Sequence, residues 1–189
     1  LALLSCRLLD NAAFGNPTTT NQSGGLVVTN SGVAMGGAIY SDGGECEIRS
    51  STLENNQARG GEALAASGGT FSQSGDASGG AIAIQAGRLQ LIGSTLTNNL
   101  ALAASAPTNS FGGGDAFGGA LFVRSNAQAV VEQTVLVGNT AQTDGDVAAL
   151  AGDSSGGAIY SAGQLRLFES TLAGNTAIGG SGYASGAGL

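Results

Sequence analysis

Gly118-Gly119-Ala120-Leu121-Phe122, followed by Thr134-Val135-Leu136-Val137-Gly138-Asn139-Thr140-Ala141, is the stretch whose reading decides the fold. Its first element recurs as Gly36-Gly37-Ala38-Ile39-Tyr40, Gly79-Gly80-Ala81-Ile82-Ala83 and Gly156-Gly157-Ala158-Ile159-Tyr160. Its second recurs as a Leu-x-x-Asn element from Leu53 to Asn56, Leu96 to Asn99 and Leu172 to Asn175. An Ala stands two places beyond each Asn, at Ala58, Ala101, Ala141 and Ala177. Leu8, Asn11 and Ala13 supply one more copy, and Ala184-Ser185-Gly186-Ala187-Gly188-Leu189 repeats the pattern of residues 116–121. Self-similarity at such a period is the signature of a stacked repeat architecture.

Within each copy the apolar residues alternate. Counting back from the repeat Leu, the pairs Cys46/Ile48, Leu89/Leu91, Ala129/Val131 and Leu165/Leu167 fall two residues apart, with Leu1 and Leu3 ahead of Leu8. Glu47, Gln90 and Arg166 lie between them. Period-two alternation predicts half-buried strands. The Gly-Gly-Ala element reads as a second short strand, with Ile39, Ile82, Leu121 and Ile159 inward, and the Leu-x-x-Asn element as a third. Strands this short cannot close a sheet within one repeat, so the copies must stack, each strand pairing with its equivalent at about 4.8 Å. The expected fold is all-β, a right-handed parallel β-helix of about five coils, forming one segment over residues 1–189. Asn11, Asn56, Asn99, Asn139 and Asn175 then form an internal amide ladder.

The remaining composition excludes several classes. Net charge is −7, with six Arg and neither Lys nor His. This argues against nucleic acid or an anionic membrane, both of which need clustered positive charge. No apolar run is long enough to be a membrane helix.

The Gly-Gly-Ala-Ile and Leu-x-x-Asn repeats resemble those of polymorphic outer-membrane protein and related adhesin-like surface proteins. The family's Phe-x-x-Asn is Leu-x-x-Asn here. The resemblance spans nearly the whole chain and implies a pectin-lyase-like β-helix on the outside of a cell. Its expected role is structural or adhesive and non-catalytic, with surface glycans or neighbouring cells as partners. Further coils or copies of the chain are expected end to end, as in a head-to-tail filament.

The alternative is a polysaccharide lyase or hydrolase, whose chemistry needs clustered carboxylates on adjacent coils. The acids read as dispersed, with no Asp pair recurring in neighbouring columns. No catalytic, cofactor-binding or metal site is therefore expected. Asp144-Gly145-Asp146 reads as a solvated turn. Phe111-Gly112-Gly113-Gly114-Asp115 has no Lys, so it does not read as a phosphate loop. A Ser/Thr rank before the repeat Leu (Ser51-Thr52, Ser94-Thr95, Thr134, Ser170-Thr171) reads as an outward row reflecting β-propensity. Cys46 belongs to a core column and Cys6 to the Ser/Thr column, too far apart laterally to bond, so both are expected as free thiols. The linking segments 13–36, 58–79, 101–118, 141–156 and 177–186 shorten along the chain and are expected to emerge on one side as a Gly/Ala/Ser-rich shelf, a surface suited to recognition.

Overall fold

The structure is a computed structural model that describes residues 1–17, 19–23, 26–63, 70–105, 112–143, 152–180 and 184–185. The described residues hold only β-strands and turns, and the strands stack in parallel as a β-solenoid. Equivalent glycines mark three complete turns, Gly36 to Gly79, Gly79 to Gly118 and Gly118 to Gly156, with an incomplete turn on either side. The middle parts of the shelf-forming linkers, including Leu64-Ala65-Ala66 and Val147-Ala148-Ala149-Leu150, and the Asp144-Gly145-Asp146 turn lie outside the described residues.

Four ranks of strands line each turn, where the sequence suggested three. The first two expected strands are continuous. They form the long strands Ile39–Arg49, Ile82–Ile92 and Leu121–Glu132, flanked by Ala2–Leu4 on one side and by Ile159–Ser161 with Gln164–Phe168 on the other. The Leu-x-x-Asn element is the reverse case and divides. Its Leu lies in Arg7–Leu9, Thr52–Glu54, Thr95–Thr97, Val135–Val137 and Thr171–Ala173, and the following Ala in Ala12–Phe14, Gln57–Arg59, Leu100–Ala103, Thr140–Thr143 and Thr176–Ile178. A fourth rank of two-residue strands precedes the glycine pairs: Ala34–Met35, Ala77–Ser78, Ala116–Phe117, Ser154–Ser155 and Ala184–Ser185. Outside this frame, Thr19–Ser23 and Leu26–Asn30 pair antiparallel, and Thr70–Gln73 adds to them in parallel.

The register is the one the repeats require. Ile82 pairs with Ile39 and Leu121, Leu96 with Leu53 and Leu136, and Ala101 with Ala58 and Ala141. Besides the glycine pairs, two corners per turn bend the chain between the ranks. At each, one residue adopts a left-handed conformation, such as Asn55 (φ 54°), Asn98 (φ 53°) and Gly138 (φ 66°) just before the repeat Asn. Asn and Gly tolerate this region best, so Asn-Asn and Gly-Asn are natural corner sequences.

The glycine pair divides the interior in two. Its first member turns the chain with φ between 63° and 68° at Gly36, Gly79, Gly118 and Gly156. Its second lets opposite walls touch. A Cβ on Gly80 would lie 2.5 Å from backbone atoms of Leu100, and one on Gly119 the same distance from Thr140. On one side of this waist lies the aliphatic core, including Ile48, Leu91, Leu96, Val131 and Leu136, all 0% exposed. Each such side chain contributes about 1.5–3 kcal/mol by leaving water. The other side is a thin core of alanines alone: Ala34, Ala58, Ala77, Ala101, Ala103, Ala116 and Ala141.

Candidate functional site

A flat stack of small residues offers few places for chemistry, so the polar side chains within it are the natural candidates. The repeat asparagines form the expected ladder. Nδ2 of Asn11, Asn56, Asn99 and Asn139 donates to Oδ1 of the Asn in the next turn at 2.8–2.9 Å. The backbone N–H of each donates to that same oxygen at 3.0–3.1 Å. The second hydrogen of Nδ2 returns to the preceding turn, from Asn56 to Leu8 O, Asn99 to Leu53 O, Asn139 to Leu96 O and Asn175 to Leu136 O. The amides of Asn56, Asn99 and Asn139 therefore use both donors and both lone pairs, which is what a buried amide needs.

The Ser/Thr rank divides: Thr52, Thr95 and Thr171, interrupted by Val135 and Arg7, take the expected outer column, while Ser51, Ser94, Thr134 and Ser170 form a second ladder on the inner side. Ser51, Ser94 and Thr134 are buried at 0–2% exposure. The Oγ of Ser51, Ser94 and Ser170, and Oγ1 of Thr134, accept the backbone N–H of Cys6, Ser51, Thr134 and Ser94 respectively from the preceding turn. Each hydroxyl donates to the carbonyl two residues before it. Only the neighbouring residues of this rank, such as Thr52, Thr95 and Val135, lie on the outer side.

A third ladder corrects the reading that no Asp pair recurs across neighbouring turns. Asp76, Asp115 and Asp153 occupy equivalent positions, three residues before each glycine pair. Oδ1 of Asp76 accepts the N–H of Asp115 at 2.9 Å, and Oδ1 of Asp115 that of Asp153 at 2.8 Å. Glycines precede all three, and a Cβ on Gly75, Gly114 or Gly152 would lie 2.0 Å from the carbonyl oxygen of Gly32, Gly75 or Gly114 in turn. The signal was present in the sequence as a Gly four residues before every glycine pair, visible once the linkers are aligned from their C-terminal ends. Beside Asp76 lies a shallow hollow of about 180 Å³, bordered by Ser31, Val33, Gln73, Ser74 and Gly75.

Burial pushes the Asp76 carboxyl above the usual range; the hydrogen bond from Asp115 opposes this, and the Asp115 charge adds to it. The sign of its effect on stability follows. Below the ordinary carboxylate range Asp76 is protonated whether folded or not, and folding carries no ionisation cost. That advantage is lost as pH rises through the folded value. Asp76→Asn keeps the Oδ1 acceptor and removes the charge. Its melting temperature is expected to exceed that of the parent at pH 7 and to match it near pH 3, as thermal melts across that range will show. An advantage independent of pH would remove the ionisation argument.

The cysteines lie as the repeat register requires. Both are free, Cys46 buried in the aliphatic core and Cys6 half-buried at the hydroxyl ladder. Burial raises the Cys46 thiol, which keeps it neutral and unreactive. Among the described residues no three His, Cys, Asp or Glu side chains are grouped to hold a metal ion, and no helix is long and apolar enough to cross a membrane. Within the glycine-rich segment, Phe111 lies outside the described residues, and Gly114 and Asp115 belong to the third ladder. Compared with family models, curated proteins and solved structures, the chain has no match.

Proposed function

We propose that this chain is a non-catalytic structural or adhesive β-solenoid of the extracellular space or outer cell surface, of the kind its repeats resemble in polymorphic outer-membrane protein. In this reading it winds right-handed, as parallel crossovers overwhelmingly do. Its turns number about five when the incomplete ones are counted, and the Gly/Ala/Ser-rich linkers emerge together on one side. One observation carries it: the stacked polar side chains are consumed in holding turn to turn. Among the described residues, Thr143 Oγ1 alone is a buried side-chain polar atom without a partner.

The asparagine ladder also has a direction. Asn139 gives its hydrogens to Asn175 on one side, and Asn56 Oδ1 receives them from Asn11 on the other. A layer beyond Asn175 would meet amide donors, and a layer beyond Asn11 an amide acceptor. The two faces are complementary, so further coils or copies of the chain extend the stack without a new type of contact.

A second reading, a polysaccharide-processing enzyme, draws on the adjacent Asp76 and Asp115. Incubation with pectin and alginate, with and without Ca²⁺, separates the two, together with light scattering and electron microscopy at micromolar concentration. The scaffold reading expects no turnover and concentration-dependent end-to-end growth. Sustained turnover would overturn it in favour of the enzyme. A monodisperse monomer with protected amides in its outer layers would remove the head-to-tail stacking.

A further inference from the structure

Arginine is scarce in this chain, six residues against thirteen acids, so two that line one groove without an ion pair among the described residues call for an explanation, Arg88 having Glu45 in register beside it on the preceding turn. Arg88, Gln128 and Gln164 stand in register on successive turns of the long-strand rank, and Arg166 pairs in the next column with Val130. With Ala129 they line a groove of about 250 Å³ on the outer face. Arg88, Gln128, Gln164 and Arg166 are exposed. The ion pairs among the described residues engage other arginines, Arg49 with Glu47 and Arg59 with Glu62. Arg124 is held by Gln85. In the same face, two residues beyond Arg166, Phe168 is 50% exposed.

We infer that this groove binds a glycan through a single carboxylated sugar, a sialic or uronic acid unit within an otherwise neutral chain. Two features select that chemistry. First, Arg88 and Arg166 lie two turns apart and two residues apart along the strands, about 12 Å by strand geometry, which lets planar guanidinium donors close on a carboxylate from two sides. Second, Gln128 and Gln164 present amides that both donate and accept, as sugar hydroxyls require, and Phe168 offers a ring face for the apolar side of a pyranose. The groove runs from Ile82–Ile92 across Leu121–Glu132, both paired on either side, to Gln164–Phe168, whose one partner among the described residues is Leu121–Glu132.

The net charge of −7 sets the limit. A polymer charged on every unit is repelled by the whole molecule, whereas one isolated carboxylate interacts chiefly with charges within about 8 Å at physiological salt. The volume agrees, since it admits one ring with its substituents and is below the range of larger ligand pockets. This inference deepens the adhesive reading and rests on it for its role. Its test is separate, because turnover of polymers and binding of a small sugar acid succeed or fail independently.

Calorimetric titration of the chain with 3′-sialyllactose, lactose and N-acetyl-glutamate amide tests it. Saturable binding of sialyllactose is expected at about 0.1–1 mM, with neither lactose nor the amino-acid derivative binding comparably. Arg88→Gln and Arg166→Gln are each expected to weaken it at least about tenfold, and Arg7→Gln, on a different rank, to leave it unchanged. Amide NMR spectra matching the parent away from the groove show that the variants fold. No saturable binding, equal binding of lactose, or insensitivity to both arginine changes would overturn the proposal. Equally tight binding of the glutamate derivative would also overturn it, leaving a general anion site.

Discussion

Gly119→Ala is expected to prevent the stack from forming, or to destabilise it by more than about 4 kcal/mol, the range reached only by severe core disruption. The added Cβ would stand 2.1 Å from the carbonyl oxygen of Gly157 in the next turn and 2.5 Å from the backbone N and C of Thr140 in the opposite wall. Both neighbours are backbone, so no rotamer relieves the contact. Shifting away from Gly157 disturbs the bond from Gly119 N–H to Gly156 O, at 3.0 Å, and shifting away from Thr140 parts the waist between the two cores. The usual gain from replacing Gly by Ala, about 0.4–1 kcal/mol through the unfolded chain, is too small to offset this. Gly174→Ala provides the contrast. Its φ of 60° is unfavourable for Ala, yet nothing stands within 4 Å of the new methyl, so the cost is about 1–2 kcal/mol. Urea unfolding of the two variants decides the matter. Equal midpoints would mean that the walls do not meet at the glycine pairs.

The repeat itself carried most of the fold. Alternation placed Ile48, Leu89, Leu91 and Val131 inward, and all are at 0% exposure. What it misplaced follows from the corners. Alternation holds only along an unbroken strand, and each left-handed corner residue shifts it by one. Cys46 and Ile48 point inward, Ser50 turns the corner at φ 48°, and Ser51 and Leu53 then point inward. A count carried through Ser50 would assign Ser51 and Leu53 to the outside; the corner resets it, so that within each Ser-Thr pair the first residue is inward and the second outward.

The alanine ranks were faint for a different reason. Ala58, Ala101 and Ala141 bury only a methyl each, too little apolar surface to stand out as separate strands, although the glycine waist makes that small volume the right one. The aspartate column was hidden by loop length. Asp76, Asp115 and Asp153 keep a fixed distance from the glycine pair that follows but not from the Ala that precedes. Their alignment appears only when the anchor is placed at the end of the linker. At the groove, the arginines were legible as residues and not as a site, because Arg88 and Arg166 come together only through the register of three successive turns.

Asn139→Leu is expected to cost about 3–5 kcal/mol, close to the largest effects of a single side chain in a small core. Asn139 is 0% exposed. Its amide accepts from Asn99 N and Nδ2 at 3.0 and 2.9 Å and donates to Leu96 O and Asn175 Oδ1, both at 2.9 Å. Leucine matches the volume but answers none of these groups. The Asn99 N–H, one Asn99 amide hydrogen and the Leu96 carbonyl are left short of a partner in a water-free interior, at about 1–3 kcal/mol each. Burial of the new side chain offsets only part of that loss. Asn139→Asp separates hydrogen bonding from packing. An ionised carboxylate still accepts from Asn99, but it turns negative charge on Leu96 O and Asn175 Oδ1, which both expect donors. Its carboxyl should therefore titrate above the usual range, and its stability should recover as pH falls through that raised value, when a proton restores one donor. Gln142→Leu, at a half-buried position one residue from Ala141, is expected to stay within about 0.5 kcal/mol of the parent. Melting temperatures of the three variants at pH 7 and pH 4 provide the measurement. If Asn139→Leu and Gln142→Leu melt together, or if Asn139→Asp shows no recovery in acid, the amide ladder does not hold the turns.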